Sequence, residues 1–332
     1  MEKLKVALLG YGGMGHFHAT QYQTQPRCEL IAICDSAPEA FANDSSEINL
    51  GSSGKADFSA LPHYSSYEEL VRNEKPDIID ICLPGHLHAE YAIRAMNDGF
   101  HVLCEKPMAR TVALADEMIA TAKRTGRKLM IAQCLRFDPA YRMLREAVLS
   151  GKYGKLLSLS FCRNSAAPTG RNGWYRDAKC SGGALLDLHL HDTDTVHYIL
   201  GVPEAVTTRG ITRPSGGIDE MVSFYEYGNG ALVTGEASWC RPGWSFSSTA
   251  VFEKATVEVD GSGVKIAYPE TPFELVKPEG ANGYWTEIDY FARCVQENLE
   301  PEICSPESTR DSIRIALAEE QSALNGGRRI EL

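Results

Sequence analysis

Short aliphatic runs alternate with amphipathic stretches along the first 132 residues, and few folds accept that order. The runs are KLKVALL (3–9), CELIAICD (28–35), PDIIDICL (76–83), FHVLC (100–104) and KLMIA (128–132). Helical patterns lie between them at 14–23, 67–73, 88–98 and 114–125, the last two stopped by Gly99 and Gly126. Runs that are apolar throughout, rather than at every second residue, mark strands covered on both faces. The order therefore predicts an α/β Rossmann domain, a doubly wound parallel sheet whose ligands bind outside the carboxyl ends of the strands.

The first run ends in Gly10-Tyr11-Gly12-Gly13-Met14-Gly15, a G-x-G-x-x-G turn that opens onto a helix. Glycine suits these points: one makes the tight turn, one lets the backbone approach a pyrophosphate, and one lets helix and strand pack closely. The free N–H groups of the helix start then face the phosphates. The second run ends in Asp35, 20 residues beyond Gly15, where a carboxylate accepts hydrogen bonds from an adenosine ribose. Ser36 and Ala37 follow, with no cation for a 2′-phosphate, so NAD rather than NADP is the expected cofactor. Two later segments leave strand ends on the same side of the sheet. They bring Leu83, Pro84 and His88, and then Glu105, Lys106 and Pro107, towards the crevice.

From about residue 156 the pattern changes to successive short strands: LLSLSFCR, EAVTTRGIT, EMVSFYEY, ALVTGEASW, TAVFEK, TVEVD, VKIAYP and PFELVK. Gly228-Asn229-Gly230 and Asp260-Gly261-Ser262-Gly263 are turn signals between neighbours. This half is expected to be an α+β domain built on a large, open, mainly antiparallel sheet. The seam falls near 130–150, giving an NAD-binding domain at 1–132 and a substrate-binding and oligomerisation domain at 133–332. A carboxyl-terminal helix at 306–325 is expected to pack back on the first domain. One helix, 183–200, interrupts the strands and carries Asp187 and His191 four residues apart, on one face. On the residues alone, such a pair reads as readily as a surface or capping pair as it does as a chemical one.

The GYGGMG turn followed by HFHA, the stretch PGHLHAEYAIRAMNDGFHVLCEKPM, and SGGALLDLHLHDTD together resemble the Gfo/Idh/MocA oxidoreductases. That is the superfamily of glucose–fructose oxidoreductase and inositol dehydrogenase. The resemblance extends to the ending IALAEEQSALNGGRRIEL and so covers essentially the whole chain. It implies that the helix at 183–200 faces the nicotinamide, with His191 as the acid/base group and Asp187 beside it. It also implies pairing through the open sheet face, hence a homodimer or homotetramer. With Lys106 holding the reacting oxygen, the expected activity is hydride transfer between NAD and a secondary alcohol of a sugar, inositol or related polyol. Two other readings stand beside it. One is redox-neutral glycoside cleavage through transient sugar oxidation; the other is a non-catalytic NAD-binding regulator.

Further candidates surround this site. Arg136 either meets the carboxamide or substrate or forms an ion pair near the seam. Arg163, Asn164, Trp174, Tyr175 and Arg176 precede the Asp/His helix; Trp174 and Tyr175 either stack on a sugar face or pack in the core. Tyr284 and Trp285 precede a helix and are candidates to close the cleft. His189, where the family often has a small residue, is expected to pack or touch substrate rather than join His191 and Asp192 on a metal.

Composition excludes other classes. Thirty-three basic against 44 acidic residues give a net charge of −11, the wrong balance for gripping nucleic acid or an anionic membrane. Ten cysteines form no CxxC pair or zinc-ligand cluster, so no metal is expected and the thiols read as reduced, in a cytoplasmic protein. No apolar run approaches the roughly 18 residues of a membrane span, and the amino-terminal run is too short for a signal sequence.

Overall fold

The computed structural model describes residues 2–41 and 57–332. They form two compact units. The first holds the chain up to Gln133 with Pro168–Trp174 and Tyr284–Arg310; the second holds Cys134–Ala167, Tyr175–Gly283 and Asp311–Leu332. Two later segments thus join the expected first domain, through contacts that local pattern does not register. Tyr284 sets its ring edge-on to Phe17 at 4.8 Å, and Gln25 Nε2 donates to the Trp285 carbonyl at 2.9 Å.

The first unit runs β1 (Leu4–Leu9), α1 (Gly13–Tyr22), β2 (Cys28–Cys34), β3 (His63–Tyr64), α2 (Tyr67–Asn73), β4 (Ile78–Ile81), α3 (His88–Asn97), β5 (His101–Glu105), α4 (Val112–Thr125) and β6 (Leu129–Ala132). Its strands pair in the order β3-β2-β1-β4-β5-β6, every pair parallel. Leu8, Ile33, Ile79, Ile81 and Leu103 are wholly buried, each worth about 1.5–3 kcal/mol of apolar transfer. Helix starts follow sequence: Thr111 Oγ1 accepts the Leu114 N–H to cap α4, and Gly126 ends that helix at φ 66°. Strand order reverses between β1 and β4, which puts the ligand crevice where Gly10 and Cys82–Leu83 leave the sheet.

The second unit contains α5 (Pro139–Leu149), β7 (Leu156–Ala166), α6 (Ala178–Ser181) and α7 (Leu190–Leu200). Then come β8 (Ala205–Thr212), β9 (Ile218–Glu226), β10 (Leu232–Ser238), β11 (Cys240–Phe252), β12 (Thr256–Asp260), β13 (Gly263–Ala267) and β14 (Glu274–Val276). Helix α8 (Gly283–Gln296) belongs with the first unit save its first residue. Helix α9 (Pro306–Leu324) divides at Arg310, and β15 (Ile330–Glu331) ends the chain. The sheet order is β14-β13-β12-β11-β7-β10-β9-β8-β15, with one parallel pair, β7 with β10. Strand β11 begins well before the TAVFEK run that marks it in sequence, because Pro242 and Gly243 sit where its register with β7 breaks, between Cys240 and Ser245. Leu144, Val196, Ile315 and the inward residues Leu159, Phe161, Val233, Val257 and Val259 form its core. No helix among the described residues is long and apolar enough to cross a membrane, and none of the ten cysteines is in a disulfide.

Candidate active site

In the first unit the three motif glycines answer three different constraints. Gly10 sits at φ +97°, and a Cβ there would lie 2.7 Å from the Cys82 carbonyl carbon. A Cβ on Gly15 would lie 2.1 Å from the Gly10 oxygen, which neither backbone can relieve. At Gly12, the N-cap of α1, a Cβ would meet nothing within 4 Å. That open cradle at a helix start, with Gly13 and Met14 opening the first turn, fits a pyrophosphate. Asp35 is held ready beside it. Its Oδ2 accepts the Tyr11 N–H at 2.7 Å, and its Oδ1 accepts the Ala37 N–H at 2.8 Å. Ser36, next to it, is exposed. Arg171, which the sequence did not single out, also donates to Asp35 Oδ1 at 2.8 Å.

The two later strand ends are tied together by His88. Its Nδ1 lies 2.8 Å from the Pro107 carbonyl and its Nε2 2.7 Å from the Leu83 carbonyl, so one buried ring bridges the Leu83-Pro84 and Lys106-Pro107 turns. Burial pulls its pKa below the ordinary histidine value, against the two carbonyl contacts. His88 thus organises the turns from within, being 1% exposed. Between Val102 and Ala109 only Lys106 is not buried.

Beneath Lys106 lies a polar cluster that sequence reasoning missed. His18 Nδ1 is 2.9 Å from Asp80, which also accepts the Tyr22 hydroxyl at 2.7 Å. His18 Nε2 is 3.0 Å from Glu105 Oε1, and Glu105 Oε2 accepts the Lys106 N–H at 3.0 Å. Burial opposes a charge on His18, but Cys82 and Asp80 outweigh it and hold its pKa well above 6.5. Glu287 of α8 completes the cluster with both carboxylate oxygens buried and without hydrogen-bond partners. Burial, reinforced by Glu105, drives its pKa well above the ordinary carboxyl value. Of its members the sequence singled out Glu105, as a crevice residue; structure instead buries it, 4% exposed, against His18.

In the second unit Gly182 and Gly183, at φ 86° and 67°, let the chain turn into a helix without steric cost. Buried Asp219 anchors that turn by accepting the Ala184 N–H at 3.2 Å and the Ser215 hydroxyl at 2.6 Å. The helix opens as a π-turn, Leu185–His189, before α7 takes over; such turns recur at functional sites because they re-aim side chains. Across residues 181–197 every residue is buried except two, Asp187 and His191.

The remaining candidates are engaged in structure. Arg136 makes a buried pair with Asp194 through Nε at 2.8 Å and Nη2 at 2.6 Å, which is the ion-pair arrangement left open in sequence. Arg163, 4% exposed, donates to Asp192 at 2.8 Å and to the Tyr141 hydroxyl at 2.9 Å. Asn164, also buried, donates to Cys162 Sγ at 3.2 Å. Tyr175 lies edge-on to Trp239, whereas Trp174 falls in the first unit and Tyr284 packs on Phe17. His189 is wholly buried, its Nε2 3.0 Å from Glu319, which also accepts the Tyr225 and Thr193 hydroxyls at 2.6 and 2.9 Å. Burial opposes charge on His189, but Glu319 outweighs it and raises the pKa.

The two units match two family models, the NAD-binding Rossmann fold of the oxidoreductase family over residues 4–133 and the GFO/IDH/MocA C-terminal domain over 141–265. The chain belongs to the GFO/IDH/MocA oxidoreductase family. Its first unit is accordingly an NAD-binding Rossmann domain. Among relatives of this family, a D-glucoside 3-dehydrogenase of Escherichia coli is 31% identical over 60% of this chain and 55% of its own length. A scyllo-inositol 2-dehydrogenase (NAD(+)) of Bacillus subtilis is 25% identical over 98% of this chain and 95% of its own. The chain therefore spans only about half of some of the curated relatives it matches. The WlbA dehydrogenase of Bordetella pertussis, solved with NADH and UDP-GlcNAcA, superposes with a TM-score of 0.82 at 21% identity, covering 100% of this chain and 98% of that one. That likeness shows a shared GFO/IDH/MocA fold.

Proposed function

We propose that this chain is an NAD-dependent dehydrogenase acting on a secondary alcohol of a sugar, an inositol or a related polyol. The observation that carries the reading is selective exposure. Lys106 in one unit, and Asp187 with His191 in the other, are the side chains left open in otherwise buried stretches. Those are the groups alcohol oxidation needs. The named relatives, which act on a glucoside and on scyllo-inositol, support the substrate class.

The Gly10–Gly15 turn would hold the phosphates of NAD and Asp35 its adenosine ribose, and the cofactor bound there would supply the hydride acceptor. Leu83, Pro84 and Lys106 would line the nicotinamide side. His191 takes the proton from the substrate hydroxyl. Asp187, one turn earlier, orients that imidazole or holds a neighbouring hydroxyl. The Lys106 ammonium steadies the oxygen as negative charge develops on it. His88 and Glu105 act through Lys106, by fixing the turn that carries it. We also place the protein in the cytoplasm as a homodimer or homotetramer, paired through the sheet face where Val222 and Phe224 stand 40% and 55% exposed.

A panel of inositols, pyranoses and their keto forms, followed at the NADH absorbance, tests this reading. Stoichiometric NADH formation with at least one polyol is expected. Substrate consumption without accumulating NADH would replace the dehydrogenase by redox-neutral chemistry, and inertness across the panel would leave the dehydrogenase reading without support.

A further inference from the structure

The sequence around Asp35 offers no cation to a 2′-phosphate, but the fold supplies one from 136 residues away. Arg171 Nη1 donates to Asp35 Oδ1 at 2.8 Å, and both residues belong to the first unit. The two ends of this ion pair differ in exposure. The Asp35 side chain is 9% exposed and the Arg171 side chain 29%. Asp35 is also fixed by two backbone donors, Tyr11 N–H and Ala37 N–H, so it stays in place whatever the arginine does. Arg171 has five N–H donors in a planar fork, the bond to Asp35 uses one of them, and the side chain is partly exposed.

A carboxylate alone repels a 2′-phosphate, which is how an acid at this position selects NAD. A guanidinium beside that carboxylate cancels its charge and offers the bidentate geometry that phosphate oxygens accept best. We propose that Arg171 is a cofactor-specificity residue, the cation through which this site also accommodates the 2′-phosphate of NADP(H). The proposal rests on the placement of the adenosine ribose at Asp35 given above. In the protein as it stands, NAD remains preferred because the carboxylate is still present. NADP(H) is a weaker second ligand, held by Arg171. With Asp35 removed, the same arginine becomes a phosphate site without a competing anion.

The test is equilibrium binding of NADH and NADPH to the full chain, by calorimetry, for the wild type, Arg171→Ala, Asp35→Ser and the double variant. Arg171→Ala is expected to weaken NADPH at least about tenfold while changing NADH much less. Asp35→Ser is expected to weaken NADH and tighten NADPH, reversing the preference. In Asp35→Ser/Arg171→Ala the NADPH gain should disappear. If the double variant binds NADPH as tightly as Asp35→Ser, or if Arg171→Ala weakens both dinucleotides equally, the role of Arg171 is overturned. If Asp35→Ser leaves the NADH-to-NADPH ratio unchanged, the ribose placement itself fails, and the proposal with it. Thermal melting of all four proteins, each expected to remain folded at the titration temperature, separates these results from misfolding.

Discussion

The Nε2 atom of His18 lies 3.0 Å from Oε1 of Glu105, whose other oxygen accepts the backbone N–H of Lys106. One buried imidazole therefore joins the glycine-turn helix to the residue bearing the proposed catalytic ammonium. Asp80 sits 2.9 Å from the other ring nitrogen, so a charged His18 compensates two buried carboxylates. Removing it strands both. His18→Gln is expected to cost about 3–5 kcal/mol of unfolding free energy, read from urea midpoints.

The same imidazole carries a pH signature. Its pKa is raised in the folded state, so its contribution is complete below the unfolded value of about 6.5 and is lost as pH rises through the higher folded value. The stability gap between wild type and His18→Gln should be widest near pH 6 and narrow steadily towards pH 9. A gap that does not change with pH would show that His18 is neutral.

Gly12 and Gly15 separate cofactor binding from folding. Gly15→Ala drives a Cβ to 2.1 Å from the Gly10 oxygen and is expected to destabilise the domain by about 1–3 kcal/mol or more. Gly12→Ala meets nothing within 4 Å and should melt within about 0.5 kcal/mol of the wild type. Its NADH affinity should nevertheless fall about tenfold, because the methyl occupies the approach of the phosphates. Calorimetric melting and NADH titration of both variants check the contrast.

His189 and Glu319 form the corresponding buried pair in the second unit. Glu319→Gln is expected to lower the urea midpoint clearly, since it removes the buried carboxylate that faces His189 and weakens the Tyr225 and Thr193 bonds. Turnover measured well below the melting point should be unchanged. A loss of kcat at full folding would instead give His189 a role at the substrate.

The alternation of aliphatic runs and helices made the parallel sheet legible, because strands buried on both faces leave a continuous apolar signal. The glycine turn was legible because close backbone approach at Gly10 and Gly15 admits only glycine. The proposed roles of Lys106, Asp187 and His191 rest chiefly on the family resemblance. What the sequence hid depended on long-range packing. Arg171 reaches Asp35 across 136 residues, and Glu287 joins His18 from a helix near the other end of the chain. The π-turn at Leu185–His189 has no propensity signature, and β11 is masked by Pro242 and Gly243. The full engagement of Arg136 and Arg163 in ion pairs likewise depends on which carboxylates the fold brings near, here Asp194 and Asp192.

If Lys106 and His191 carry the chemistry, the NADH-forming turnover of Lys106→Ala and His191→Ala on a polyol that the wild type oxidises will show it. Each variant is expected to lose about 10²–10⁴ in kcat while keeping the wild-type melting temperature. Near-normal turnover in both variants, at full folding, would contradict it.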